Sequence, residues 1–436
     1  MLSTILISSR KDPAGSNIHK DLCTLLEQHH DILSHIHHWF ADERLIYLNG
    51  SILPSDADQI LFLSRHASER PRPVLTVHVT GNYGPADYGG TPSTLTPSAT
   101  SLMHSLIKGL VRYAPAGYEV MYEATHHGPT NIPLPSCFVE IGSTEKEWND
   151  RNGTMAVARA VLDALTRDPL KTIPLAGFGG THYTQRQTEI SKTTRGGFGH
   201  IMPTRDLQYL TGDMFERMVT LSQAIAIYID GKSLTGEEER KISKFAEKFY
   251  IPVLGQQELT HLSSLDLSEY LTIRSLADLT IPKSNIILHD LHSCPNPVIV
   301  NISPDLIEEV MKTIPEEFLT GLDNLPVVHL TGKGKACHPV FITERTCHSV
   351  VKQKITDLCM YLIKSKNSVK FDGNIMVITK NRFDPSKAKD LGIPPGPLYK
   401  ELMSGKTIQC NGKSIKPEMV MTITEKKIFI RDNDGS

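Results

Sequence analysis

The chain has 436 residues, of which 39% are hydrophobic and 22% charged; this suits two or three globular domains and excludes a fibrous or disordered chain. Seven cysteines, odd in number and widely spaced, argue against a disulfide scaffold and for a reducing cytoplasmic setting. No apolar run approaches the ~18 residues of a membrane span, and the opening MLSTILISSRKD has neither the basic segment nor the cleavage site of a secretory leader.

Two counts depart from the average. Histidine occurs 19 times, 13 of them in the first 200 residues. The net charge of −2 hides an asymmetry: residues 331–436 hold 19 basic and 10 acidic residues, a net +9, which leaves −11 on the first 330. An acidic, His-rich body with a basic, polyanion-binding tail is one reading of this pattern; ordinary charge variation between domains is the other.

In chain order, short apolar or β-branched runs bounded by turn residues predict strands at 4–8, 45–48, 59–63, 74–80, 119–124, 137–141 and 175–178. Helical patterns fall at 18–29, 98–113, 155–166, 213–230 and 236–249. In the second of these, Leu102, Leu106, Leu110 and Tyr113 recur at helical spacing behind Pro97 and Ser98. Thr235, followed by Gly236 and three glutamates, is a capped helix start. Several strands are solidly apolar, so the fold class is α/β, with a mixed, mostly buried sheet flanked by helices. A last strand is expected at 249–254, so the body spans 1–265. A connector follows at 266–282 and a smaller C-terminal α/β region at 283–436. That region has strands near 286–288, 327–330, 375–379, 419–424 and 427–430 and a helix near 349–363.

Four loops, each following a predicted strand, place His or an acid beside Gly, Asn or Pro. They are SRHASE (64–69), HVTGNYG (78–84), EATHHGPT (123–130) and GFGGTHY (177–183). In a parallel sheet such loops gather at the carboxyl ends of the strands, where ligands bind. Imidazoles and a carboxylate arriving from separate loops make a zinc site or an acid/base site. Each has a plainer reading as a hydrogen-bonded turn. Glu140 and Ser143 are either a substrate-orienting pair or a strand end with a helix cap. His200 in GGFGH carries the same two readings. The run from His29 and His30 through His35, His37 and His38 reads as a solvated helix and loop. Cys337-His338 and Cys347-His348 fit no zinc-finger spacing and read as structural. No nucleophile elbow, P-loop, HExxH or CxxC motif is present.

The phrases LFLSRHAS, VHVTGNYG, YEATHHGPT, CFVEIGSTEKEW and GFGGTHY, in that order, resemble the archaeal and plant type of D-aminoacyl-tRNA deacylase over residues 1–265. The resemblance implies a zinc-dependent, cytoplasmic, usually monomeric enzyme that hydrolyses the ester joining a D-amino acid to tRNA. It also implies a body like that of the peptidyl-tRNA hydrolase and nucleoside phosphorylase group. The segments Asp390 to Leu402 and Asn411 to Glu418 are similar to part of the tRNA 3′-end-processing endonucleases, without their metal signature. They suggest a tRNA-related context for an extension that shorter family members lack.

Under this resemblance His78, Glu123, His126 and His182 are the expected metal-ligating or acid/base set, with His127 and His200 in reserve. Arg65 is expected to hold the 3′-terminal phosphate. Backbone N–H groups at Gly81-Asn82 or Gly179-Gly180 are expected oxyanion donors. Glu140 is a further substrate contact, and a rigid Gly128-Pro129 turn would exclude the L side chain. Two rival readings remain at this point: a zinc-dependent amidase or peptidase acting on small molecules, and a non-catalytic tRNA-binding protein.

Overall fold

A computed structural model describes residues 2–29, 32–54, 56–68, 71–167, 170–332 and 337–430. The chain divides into two units, Met1–Ser263 and Ser264–Ser436.

The first unit is built from β1 (Thr4–Ser9), β2 (Ile36–Ala41), β3 (Gln59–Arg65), β4 (Val74–His78), β5 (Gly81–Asn82), β6 (Thr94–Leu95), β7 (Glu119–Tyr122), β8 (Ser136–Gly142), β9 (Ile173–Phe178), β10 (Gly196–Met202) and β11 (Ala226–Ile229). Its helices are α1 (Pro13–Leu26), α2 (Thr100–Tyr113), α3 (Glu145–Trp148), α4 (Arg151–Thr166), α5 (Gln185–Thr193), α6 (Gly212–Leu221), α7 (Gly236–Lys248) and α8 (Gln256–His261). Six strands form one sheet in the order β2-β1-β3-β8-β4-β7. All neighbours are parallel except β8 and β4. A second sheet, β10-β9-β11, is wholly parallel. The class is the expected mixed α/β arrangement.

Alternation along the strands sorts the side chains between the two faces of the large sheet. Ile5, Ile7, Phe62 and Phe138 share one face, with Leu45, Leu48 and Ile132 packed over them. Helices α1, α2 and α4 cover the other. Asp12 starts α1 by accepting Gly15 N–H at 3.1 Å, with Pro13 in the first turn, a favoured helix start. Gly15 lies so close to the sheet that a Cβ would meet Leu63 O at 2.3 Å.

Several sequence expectations change. Residues 45–47 form a 3-10 turn, and the neighbouring edge strand is instead β2, inside the His-rich run expected as helix and loop. His30 and Glu69 lie outside the described residues. The helix expected over 213–230 ends at Leu221, and its second half is the buried strand β11. The periodicity misleads here because a buried strand is apolar on both faces. The glycines of strand β10 hide it from sequence reading, because they leave little side-chain pattern. Residues 249–254 carry only an isolated bridge, Ile227 to Val253.

The second unit opens with α9 (Leu267–Thr280), so residues 266–282, expected as a connector, are largely helix; Tyr270, Ile273 and Ala277 of α9 are fully buried. Strands β12 (Asn285–Leu288), β13 (Pro297–Asn301), β14 (Val328–Thr331) and β15 (Cys337–Glu344) form an antiparallel sheet in the order β12-β14-β15-β13. Helices α10 (Pro304–Thr313), α11 (Pro315–Leu322) and α12 (His348–Lys366) share a core with β16 (Ser368–Asp372), β17 (Ile375–Phe383) and β20 (Met421–Phe429). The last of these unites the two strands expected at 419–424 and 427–430. A small separate core joins α13 (Pro385–Asp390), α14 (Pro397–Met403), β18 (Ile408–Cys410) and β19 (Lys413–Ile415). This last module contains the segment similar to the endonucleases.

Candidate active site

Glu140 lies within β8, two residues after Phe138. By register, Ser64 of β3 lies beside Glu140 and His78 of β4 beside Phe138, so all point to one face of the sheet. His66 follows β3 and His78 ends β4. Because β4 runs against β8, the two imidazoles approach Glu140 from opposite directions. His66 Nδ1 is 3.5 Å from one Glu140 oxygen and His78 Nε2 is 3.8 Å from the other. The convergence therefore occurs over the middle of the sheet face, not at one carboxyl edge as a parallel sheet would require.

The loops after β7 and β9 complete the cluster. Glu123 N–H donates to Val77 O at 3.1 Å and Ala124 N–H to His182 O at 2.8 Å, which ties the two sheets together. Glu123, 1% exposed, presents one oxygen 3.1 Å from His66 Nδ1. Its other oxygen lies 2.8 Å from His182 Nε2 and 3.5 Å from His126 Nε2. The rings of His126 and His127 have centroids 4.3 Å apart, and that of His78 is 4.5 Å from His126. The expectation that adjacent residues face apart fails because the chain turns there: His127 has φ +48°. His66 Nε2 also pairs with the Tyr183 hydroxyl at 2.7 Å.

The electrostatics follow from burial and neighbours. Burial opposes ionisation of Glu123, but His66, His182 and His78 outweigh it and hold its carboxyl well below the usual range. Burial likewise opposes charge on His66, and Glu123 and Glu140 reverse this, pushing it up to about 12. Burial and neighbouring imidazoles keep His126 well below its ordinary value and His127 down at about 4. Two neutral imidazoles thus stand beside ionised carboxylates.

Three features fit a metal. His78, His126 and His127 turn Nδ1 to the carbonyls of Val79, Ala124 and Gly128, at 3.3, 2.8 and 2.6 Å, which leaves each Nε2 as the donor. His78 Nε2 is buried without a hydrogen-bond partner, and both buried Glu123 oxygens face only imidazole nitrogens. Glu123, His126 and His182 offer donors within 4.8 Å of one another, as do His78, His126 and His127, and His66, Glu123 and Glu140. The four residues expected to act together are thus split between two overlapping triads that share His126.

A cleft of about 650 Å³ opens on the cluster. His66, His126, His127, Glu140, His182 and Tyr183 line its floor, with Lys11, Arg44, Arg65, Arg205 and Tyr88 around them. The Arg65 guanidinium lies over the Trp148 ring, 4.9 Å from its centroid.

Other expected residues stand elsewhere. His200 is fully buried, paired with Thr96 O at 2.8 Å and Thr125 Oγ1 at 3.1 Å, and burial lowers its pKa to about 4. Three of the four expected oxyanion donors are engaged: Gly81 N–H bonds His127 O, Gly179 N–H bonds Met202 O, and Gly180 N–H bonds Ser233 Oγ. The Asn82 side chain donates to Gly89 O and Thr91 O and so braces a loop. Gly128 and Pro129 are buried and line no part of the cleft. A Cβ at Gly128 would sit 2.5 Å from both Gly90 N and Ile46 O, so its smallness serves loop packing. Ser143 exchanges hydrogen bonds with the Arg72 backbone at 2.9 Å. Sequence reasoning singled out the loops that carry His66 and Tyr183 but left both residues out of the expected set. His66 stands two residues after Ser64, so strand alternation would have placed it on the face of Glu140.

Comparison with known proteins gives a consistent result. The family model for D-aminoacyl-tRNA deacylase matches residues 53–254. A D-aminoacyl-tRNA deacylase of Methanospirillum hungatei is 61% identical over 98% of this chain and 97% of its own. One of Methanoculleus marisnigri is 42% identical over 98% of each chain. One of Archaeoglobus fulgidus is 36% identical over 58% of this chain and 97% of its own. A crystal structure of a conserved protein of unknown function superposes with TM-score 0.55 and 34% identity, covering 60% of this chain and 97% of that one. With full-length relatives this similar, the chain belongs to the D-aminoacyl-tRNA deacylase family.

Proposed function

We propose that the His–Glu cluster is the centre at which this D-aminoacyl-tRNA deacylase hydrolyses the ester between a D-amino acid and the terminal ribose of tRNA. The observation that carries the assignment is the buried Glu123 held between His66 and His182, two imidazoles that line a cleft bordered by Lys11, Arg44, Arg65 and Arg205. Glu123, His126 and His182 would hold a zinc ion, because His126 and His182 border the cleft and a catalytic zinc needs an open position. Such an ion supplies a bound water with pKa near ~7 and Lewis acidity toward the ester carbonyl.

The chain's own groups supply the rest. His66, whose Nδ1 faces Glu123 and Glu140, pairs through Nε2 with the Tyr183 hydroxyl and so fixes the phenol at the cleft wall. There it hydrogen-bonds the departing ribose oxygen. Arg65, stiffened by Trp148, meets the 3′-terminal phosphate, with Arg44, Arg205 and Lys11 beside it. All seven cysteines are free, in keeping with a cytoplasmic setting. Among the described residues no helix is long and apolar enough to cross a membrane. The basic C-terminal part of the second unit, residues 331–436, with Lys354, Lys364, Lys370, Lys406, Lys413 and Lys427 exposed, is proposed to add phosphate contacts to tRNA.

The test is to incubate D- and L-tyrosyl-tRNA with the protein, with and without a zinc chelator, and measure free tRNA. Chelator-sensitive release from the D form alone is expected. Undiminished release after complete metal removal would overturn the zinc assignment. Release of both forms at equal rates would overturn the stereochemical one.

A further inference from the structure

A second cluster of metal-ligand type lies on the opposite face of the large sheet, outside the residues that the family model matches. His19 and Cys23 are four residues apart on α1 and so share one side of the helix. That side meets the edge strand β2. Leu6 and Ser8 of β1 pair with His38 and Phe40 of β2, and these alternate with Ile5 and Ile7, which face the other way toward the Glu140 side. His19 Nδ1 pairs with Ser8 Oγ at 2.8 Å, and His19 Nε2 lies 2.7 Å from His38 Nδ1. The His19 ring stacks on Phe40 with centroids 4.4 Å apart. A ligand atom from each of His19, Cys23 and His38 falls within 4.8 Å of the others.

We propose that His19, Cys23 and His38 bind a zinc-class divalent cation that clamps α1 onto the edge strand. The donor set is two imidazoles and a thiol, with no carboxylate, which selects zinc or cobalt over magnesium or calcium. Ser8 accepts the Nδ1 proton of His19 and aims Nε2 at His38 Nδ1, and the ion replaces that ring-to-ring hydrogen bond; Ser8 then fixes the tautomer as an outer partner does in a built site. His19 is buried, Cys23 half-buried and His38 exposed, so the ion has a fixed anchor and an open approach from solvent. Water fills the fourth position. On binding, Cys23 releases its proton to solvent and ligates as thiolate. The site stands about two helical turns, roughly 10 Å, from the cleft residue Asp12, and its role is to hold structure.

Cobalt distinguishes this site from the cleft, whose donors are only imidazole and carboxylate. Metal-stripped full-length protein titrated with Co²⁺ is expected to develop a near-ultraviolet thiolate-to-cobalt band. Cys23→Ser abolishes that band, and His38→Ala at an exposed position abolishes or greatly weakens it. Each variant holds one fewer zinc ion per chain than wild type and deacylates D-tyrosyl-tRNA at the wild-type rate. Absence of the band in the wild-type protein would overturn the proposal. A band and zinc content unchanged in both variants would do the same. A metal-free cleft would leave the band intact, so this result is independent of the zinc assignment there.

Discussion

The Glu123 carboxylate stands 2.8 Å from His182 Nε2, while the adjacent main chains are joined by Ala124 N–H and His182 O at the same distance. Glu123 and Ala124 together thus couple the two sheets and set a carboxylate behind His182 and His126, which line the cleft. Glu123→Gln keeps the shape and removes the charge. Turnover on D-tyrosyl-tRNA is expected to fall by roughly 10²- to 10⁴-fold, the range for loss of a group that ligates or moves a proton. A steady-state assay with a parallel melting curve checks this, because a folded variant with wild-type turnover would remove the carboxylate from the reaction.

Much of this centre is legible in the residues. His78, Glu123, His126 and His182 stand at or just after the ends of predicted strands, and short apolar runs bounded by turn residues mark those strands well. What stays hidden depends on direction. Nothing in VHVTGNYG states that β4 runs against β8, so the sequence does not show His66 and His78 meeting at Glu140. The glycines at 179 and 180 suggest free N–H donors. Their φ values of +92° and +95° instead serve a turn braced by Ser233. His38 reads as a solvated residue because an edge strand has little apolar alternation when one of its faces presents imidazoles to a helix.

His104 on α2 predicts an acid-labile fold. It is 1% exposed, its ring paired with Thr172 Oγ1 at 3.0 Å and Ser191 O at 3.1 Å. Burial first, and then Lys108, hold its pKa at about 4. An unfolded chain takes this proton near ~6.5. Stability from the neutral ring is complete above that pH and drains away as pH falls to about 4, by up to ~3 kcal/mol. Melting temperatures from pH 7 to 4 should fall less steeply for His104→Gln than for wild type. Parallel curves would show that this ring does not drive the loss.

Ending the chain after Ser263 should separate binding from chemistry. The first unit has its own cores and every cleft residue, and the Archaeoglobus fulgidus relative aligns with only 58% of this chain. The shortened protein is expected to keep turnover at saturating substrate and to bind tRNA more weakly, with a shallower dependence on salt, because fewer phosphates are neutralised. Equal affinity and equal salt slopes would remove the second unit from tRNA binding.

Within the second unit, Glu309 of α10 is 2% exposed and is held by two lysines from one sheet: Lys380 of β17, and Lys426 of β20 with Nζ at 3.0 Å. Burial opposes its charge, and the lysines outweigh this, keeping the carboxyl below its usual range. Such a depressed acid stabilises the fold above the ordinary carboxylate pKa, and the contribution is lost as pH falls through the folded value. Glu309→Gln should therefore cost about 1–3 kcal/mol near neutral pH, less than a fully buried pair because both lysines reach solvent. The gap between wild type and variant should close as pH falls below the ordinary carboxylate range, where the wild-type carboxyl also takes up a proton. Calorimetry at neutral and acidic pH reads this directly, and a gap of equal size in acid would mean that the substituted amide fails by packing and not by charge.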